Sequence, residues 1–211
     1  MATQNDIMTE LYARYPALTA CGQDIGDATR RLLTAVRGGG KILLCGNGGS
    51  CADCEHISGE LLKGFLSTRP LSEADKGAFD GLPQGDALAD RLQYGICAIP
   101  LTSLTAVSTA FCNDVDPAAV YAQLTYAIGA PGDVLIAIST SGNAENVHNA
   151  AVAAKAKGLT VIGLTGQTGG KLAALCDVCI RVPESETFKV QELHLPVYHA
   201  ICAALEAEMF G

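Results

Sequence analysis

The chain has 211 residues, enough for one domain of ordinary size. Hydrophobic residues make up 49% and charged residues 17%, which excludes global disorder and supplies ample material for a core. Aromatics are only 5% with no Trp, and the formal charge is −8, so stacking platforms for bases and a general attraction to nucleic acid or anionic membrane are disfavoured. Any phosphate must be held locally, by backbone N–H groups and hydroxyls. The first residues lack a basic end followed by an apolar stretch, and no apolar run approaches the ~20 residues of a membrane span. Nine cysteines, an odd number in apolar surroundings, read as reduced thiols, and a cytoplasmic location is expected.

Residues 1–38 form an N-terminal helical segment with two apolar stripes: Ile7, Leu11 and Tyr12, then Ile25, Ala28, Leu32, Leu33 and Val36. Arg37-Gly38-Gly39-Gly40 stops it. Five short apolar runs follow, at residues 41–45, 96–101, 133–138, 160–164 and 178–182. Helical stretches lie between them, including 118–128 and 143–157. Short apolar strands alternating with helices predict an α/β fold, with a parallel sheet covered on both faces. Residues 67–94, rich in Gly, Pro and mixed charge, read as a surface insertion, either a lid or a solvated decoration.

Two C-x-x-C pairs need a reading. Cys176 and Cys179 open an expected strand, where residues three apart point to opposite faces, and Cys51 and Cys54 follow a glycine loop. Small packing residues are the simpler reading for both, against metal or redox roles.

Chemistry is concentrated in three places. Gly46-Asn47-Gly48-Gly49-Ser50 follows the first strand, where open α/β sheets bind ligands, and its spacing fits neither nucleotide motif. Ser139-Thr140-Ser141-Gly142-Asn143 puts three hydroxyls at a strand-to-helix junction. Capping needs only one hydroxyl, so three suit an oxyanion at a helix N-terminus. His56 and Glu60, four apart, share one face of a helix, and Gln191-Glu192-Leu193-His194 and His199 lie on the last helix. A His–Glu pair beside two anion-binding turns suits proton transfer or metal ligation. His148 reads as an exposed-face residue.

Together, Cys-Gly-Asn-Gly-Gly-Ser, His-x-x-x-Glu, Ser-Thr-Ser-Gly-Asn and Gln-Glu-x-His-x-x-x-x-His resemble the phosphoheptose isomerases of the sugar-isomerase (SIS) domain family, over essentially the whole chain. The resemblance implies a single SIS domain over 1–211: a three-layer, flavodoxin-like fold with a five-stranded parallel sheet, and an N-terminal helix that packs in a homotetramer. It implies isomerisation of a phosphorylated sugar, with sedoheptulose 7-phosphate as the best guess, through a cis-enediol. Glu60 would be the base and His199 the acid. Ser50, Ser139, Thr140 and Ser141 would hold the phosphate, with Gly48 and Gly49 in the same loop; Asn47 and Asp114 would lie near the sugar hydroxyls. His56, Glu60, Gln191 and His199 match residues that bind zinc in some members. Gln191 and His199, eight apart, are about 80° out of line on an ideal helix, so Gln191 must reach in from the helix start.

Departures from the family pattern spare the acid/base residues: one removes a phosphate hydrogen bond or leaves it to water, and the insertion could reshape the sugar end. Ala144 stands where another hydroxyl is usual, 67–94 is longer than the usual link, and Thr187-Phe188-Lys189 precedes the Gln-Glu motif. Another phosphosugar reaction on this scaffold, or a non-catalytic phosphosugar-sensing or partner-binding protein, are the other readings. The acidic charge disfavours a nucleic-acid regulator, and retention of His56, Glu60, Gln191 and His199 disfavours binding alone.

Overall fold

The computed structural model describes residues 3–211; Met1 and Ala2, the start of the expected 1–38 segment, lie outside the described residues. Thr3 and Asp6 cap each other at the start of α1 (Gln4–Arg14). The N-terminal segment then breaks. Pro16 disfavours helical backbone at Tyr15, and a tight turn, Pro16–Cys21, leads into α2 (Gly22–Arg37).

The strands are β1 (Ile42–Cys45), β2 (Ala98–Pro100), β3 (Val134–Ser139), β4 (Thr160–Thr165) and β5 (Val178–Arg181). They pair in the order β2-β1-β3-β4-β5, all parallel. The flavodoxin-like expectation holds. Strand β2 is shorter than the 96–101 run, and it sits at the sheet edge, where Pro100 and its missing N–H are tolerated.

Alternate strand residues serve the two covering layers. Ile42, Leu44, Ile136, Ile138, Ile162 and Ile180 join α1, α2, α3 (Gly49–Leu62) and α9 (Thr187–Phe210) in one core. Leu43, Cys45, Leu135, Ala137 and Val161 join α7 (Val120–Ile128) and α8 (Glu145–Ala156) in the other. No helix of the described residues is long and apolar enough to cross a membrane.

The 67–94 insertion has more order than its weak periodicity suggests. It contains α4 (Glu73–Lys76) and α5 (Gly85–Ala89), drawn together by Lys76, which pairs with Glu73 at 3.0 Å and Asp90 at 2.9 Å. Helix α6 (Thr105–Asp114) follows β2. The insertion is rooted by Arg69, which is 2% exposed and meets Glu206 of α9, itself 1% exposed. Arg69 also donates to the carbonyls of Leu61 at 2.8 Å and Glu60 at 3.2 Å. Glu206 accepts from the N–H groups of Phe65, Leu66 and Ser67.

Burial alone would raise the Glu206 carboxyl pKa, but the backbone donors and Arg69 outweigh it and hold it below the ordinary value. Glu206→Gln leaves Arg69 buried beside a neutral partner and should cost about 3 kcal/mol in urea unfolding. Because folding lowers this pKa, the carboxylate's contribution is complete above the ordinary Glu range and is lost as pH falls through the lowered value. The variant's stability should therefore vary less with pH in that acid range.

Candidate functional site

The sheet order reverses between β1 and β3, so the loops after these two strands flank a crevice at their carboxyl ends. After β1, the loop turns at Gly48, with φ +55°, and α3 begins at once. A Cβ at Gly46 would lie 2.7 Å from the Ser50 carbonyl, so the turn is too tight for a side chain there. After β3, Gly142 takes φ +68°, and a Cβ there would overlap the Gly169 backbone. The two loops, with Thr187 and Gln191 of α9, line a cleft of about 330 Å³.

Asn47, Gly48, Gly49, Ser50, Ser139, Thr140 and Ser141 all line this cleft, as does Ala144. Ser50 and Ser139 are buried and Ser141 is exposed. Among the described residues, no Lys or Arg lines it. The Ser141 hydroxyl oxygen accepts from the Asn143 N–H at 3.1 Å, which leaves its own proton free to donate. The first loop is braced by a reciprocal amide pair between Asn47 and Asn146, each bond 2.9 Å, and by the Tyr121 hydroxyl donating to the Gly46 carbonyl at 2.9 Å.

A second group forms where α3 meets α9. The ligating atoms of His56, Glu60 and His199 all lie within 4.8 Å of one another. His56 Nε2 stands 3.2 Å from Glu60 Oε1 and 3.4 Å from His199 Nε2. Bonds of about 2.0–2.1 Å in a tetrahedral zinc site put neighbouring ligand atoms ~3.3 Å apart, the spacing His56 Nε2 has from both Glu60 and His199. The donor set fits as well: a carboxylate and two imidazole nitrogens converge, and a cation or a proton must separate their lone pairs. Desolvation first, then His56, lower the His199 pKa against the opposing pull of Glu60, so the ring is neutral near pH 7.

Gln191 lies apart from this group. Its amide rests on Gly49, and eight residues of α9, roughly 12 Å of rise, separate it from His199. Asp114 ends α6, exposed, with Oδ1 accepting from Asn113 Nδ2, and it lines neither group. His194 faces the interior with neither ring nitrogen bonded, and burial lowers its pKa to about 4. His148 is half-buried on α8 rather than exposed.

The Cys176/Cys179 geometry departs from the opposite-face expectation. Cys176 precedes β5, so strand alternation does not reach it. Both sulfurs converge on Gly163, where a Cβ would stand 2.6 and 3.1 Å from them. Cys54 is buried in the α3 core face, which raises its thiol pKa.

Sequence reasoning passed over Asp53 and Tyr198. The Tyr198 hydroxyl is 3.0 Å from His56 Nδ1 and 3.2 Å from Asp53 Oδ1. The three-residue spacing of Asp53 and His56 on one helix was an available signal. For Tyr198, one position from His199 in an apolar run, there was none.

Two SIS domain family profiles match the chain, over residues 17–96 and 91–207. The phosphoheptose isomerase of Rhodospirillum rubrum is 39% identical over 187 residues, covering 88% of this chain and 86% of its own. The chain belongs to the SIS-domain phosphoheptose isomerase family. Phosphoheptose isomerase 2 of Campylobacter jejuni is also 39% identical, over 89% of this chain and 81% of its own. The structure of phosphoheptose isomerase GmhA from Neisseria gonorrhoeae superposes with a TM-score of 0.70 at 31% identity, covering 94% of this chain and 98% of that one. A phosphoheptose isomerase structure from Francisella tularensis gives 0.74 at 27% identity, covering 97% and 98%.

The cleft depends on Gly142. Gly142→Ala should destabilise the chain by more than the ~1–2 kcal/mol of a left-handed non-glycine residue, because its Cβ also strikes backbone. Gly39→Ala, at φ +81° with open space around it, should cost only the conformational part. Urea unfolding of the two variants makes the comparison; equal losses would mean that the 139–143 loop yields to the clash.

Proposed function

We propose that this chain is an enzyme that interconverts sedoheptulose 7-phosphate and the corresponding aldose, heptose 7-phosphate. The observation that carries the reading is the pairing of a hydroxyl- and glycine-lined cleft with a convergent His56–Glu60–His199 group in a chain 39% identical to named phosphoheptose isomerases. The hydroxyls of Ser50, Ser139, Thr140 and Ser141, with the N–H groups opening α3 and α8, hold the phosphate without a basic side chain. Asn47 serves the sugar hydroxyls from the cleft wall; Asp114, which lines neither group, is not given that role.

Starting from the ketose, Glu60 takes a proton from C1, beside the C2 carbonyl, and the electron pair forms the C1–C2 double bond of a cis-enediol. His199, neutral at rest, relays the hydroxyl proton between O1 and O2. Return of the proton to C2 completes the aldose, with no net oxidation. His56, Glu60 and His199 would hold a zinc ion, and Gln191 would serve from the cleft; the ion, when bound, supplies charge stabilisation for the enediolate oxygens.

The helical surface left open between α1 and α9 supports self-association, which we read as a homotetramer. From Ser50 to Glu60 is roughly 15 Å of rise along α3, and α9 separates Gln191 from His199 by a similar span. A cleft of about 490 Å³ between α1 and α9 is lined by Ile7, Leu11, Tyr15, Phe65 and Leu195, with His199 on its wall. A second copy seated there would put His199 at a subunit boundary. We place the single SIS domain over 1–211 and the protein in the cytoplasm, where nine cysteines suit a reducing compartment.

Glu60→Gln keeps the side chain's shape and removes the base. It should lower turnover on sedoheptulose 7-phosphate by on the order of 10²-fold or more, with little change in binding. Solvent-proton exchange into the substrate at the wild-type rate in this variant would remove Glu60 from the role. Sedimentation should give a tetramer at micromolar concentration; a stable monomer would defeat the subunit-boundary pocket.

A further inference from the structure

We infer that Tyr198 is a positioning residue for His56: anchored on Asp53, its hydroxyl holds the proton on His56 Nδ1 and keeps Nε2 open toward Glu60 and His199. The inference rests on the metal reading above and adds to it what orients the ligand.

Proton counting carries the argument. Tyr198 is 3% exposed, and its hydroxyl has one proton and two neighbours, His56 Nδ1 at 3.0 Å and Asp53 Oδ1 at 3.2 Å. A carboxylate only accepts, so the Tyr198 proton goes to Asp53 and the phenol oxygen accepts from the Nδ1–H of His56. The opposite arrangement would leave Asp53 with no donor at either oxygen, since Oδ2 is already buried without a partner. That would strand both oxygens of a half-buried carboxylate. With the proton on Nδ1, the Nε2 lone pair faces the position between Glu60 Oε1 and His199 Nε2. A ligating histidine needs this tautomer, and the partner of its second nitrogen sets it. Here that partner is a tyrosine that passes the hydrogen bond on to a carboxylate.

Zinc affinity, read by competition with a chromophoric chelator at fixed pH, tests the relay on the full chain. Tyr198→Phe removes one oxygen and should weaken zinc binding by about 10–100-fold, the usual effect of losing such a partner. Asp53→Asn, whose amide oxygen still accepts, should weaken it less. The double variant should bind within about twofold of Tyr198→Phe alone, because the link is already cut. Unfolding of the zinc-free proteins separates this from a packing role, which would lower the melting temperature and leave affinity unchanged. Wild-type affinity in Tyr198→Phe overturns the relay, as does a double variant whose loss is the product of the two single losses. A wild-type chain that takes up no zinc overturns the metal reading instead, and the relay falls with it.

Discussion

Helices α3 and α9 carry both halves of the site, and what sets one against the other is a buried pair of opposite charges. Arg69 bonds Glu206 of α9 at 2.8 Å and reaches back to the last carbonyls of α3, at Glu60 and Leu61. Glu206 meanwhile gathers the three N–H groups that follow α3. The pair therefore satisfies the groups that a helix C-terminus and a sharp exit leave open. Charges this deep are costly unless they are paired and hydrogen-bonded; here each guanidinium nitrogen donates once and both Glu206 oxygens accept twice. The backbone that bears Glu60 is thus tied to the helix that bears His199.

The other half of the site solves an electrostatic problem in an acidic chain. At a net charge of −8, long-range fields repel a sugar phosphate, so capture must come from dipoles within a few ångströms. The reversal of strand order between β1 and β3 places two helix N-termini at one crevice, and glycines let the backbone come close. Hydroxyls at Ser50, Ser139, Thr140 and Ser141 add donors without adding charge. An anion held this way is recognised by geometry rather than by a basic cluster.

Much of this was legible in the residues. Five short apolar runs became five parallel strands, and the Gly- and Ser-bearing loops after β1 and β3 line one cleft. His56 and Glu60, read as helix neighbours, do face each other. What was hidden depends on contacts between distant segments. Nothing in the local pattern joins Arg69 to Glu206, 137 positions away, or Asp53 to Tyr198, 145 positions away. The convergence of Cys176 and Cys179 escaped because strand geometry was extended one turn too far. The separation of Gln191 from His199 was visible in the helical period, while the amide's resting place on Gly49 was not.

The meeting of His56 with His199 also demands close approach of their helices. Ile57 and Leu61 of α3 and Ile201, Cys202 and Leu205 of α9 share a gap of only about 20 Å³. Cys202 is fully buried there, with its thiol pKa pushed up by desolvation. A thiol is small enough to let α9 settle against α3 and apolar enough to need no partner. Interiors packed this tightly transmit small changes of volume as shifts of whole helices. Nitrogens 3.4 Å apart, one from each helix, sit at the end of that chain of contacts. Cys202, which the sequence reading takes as a packing thiol, fills that role between α3 and α9.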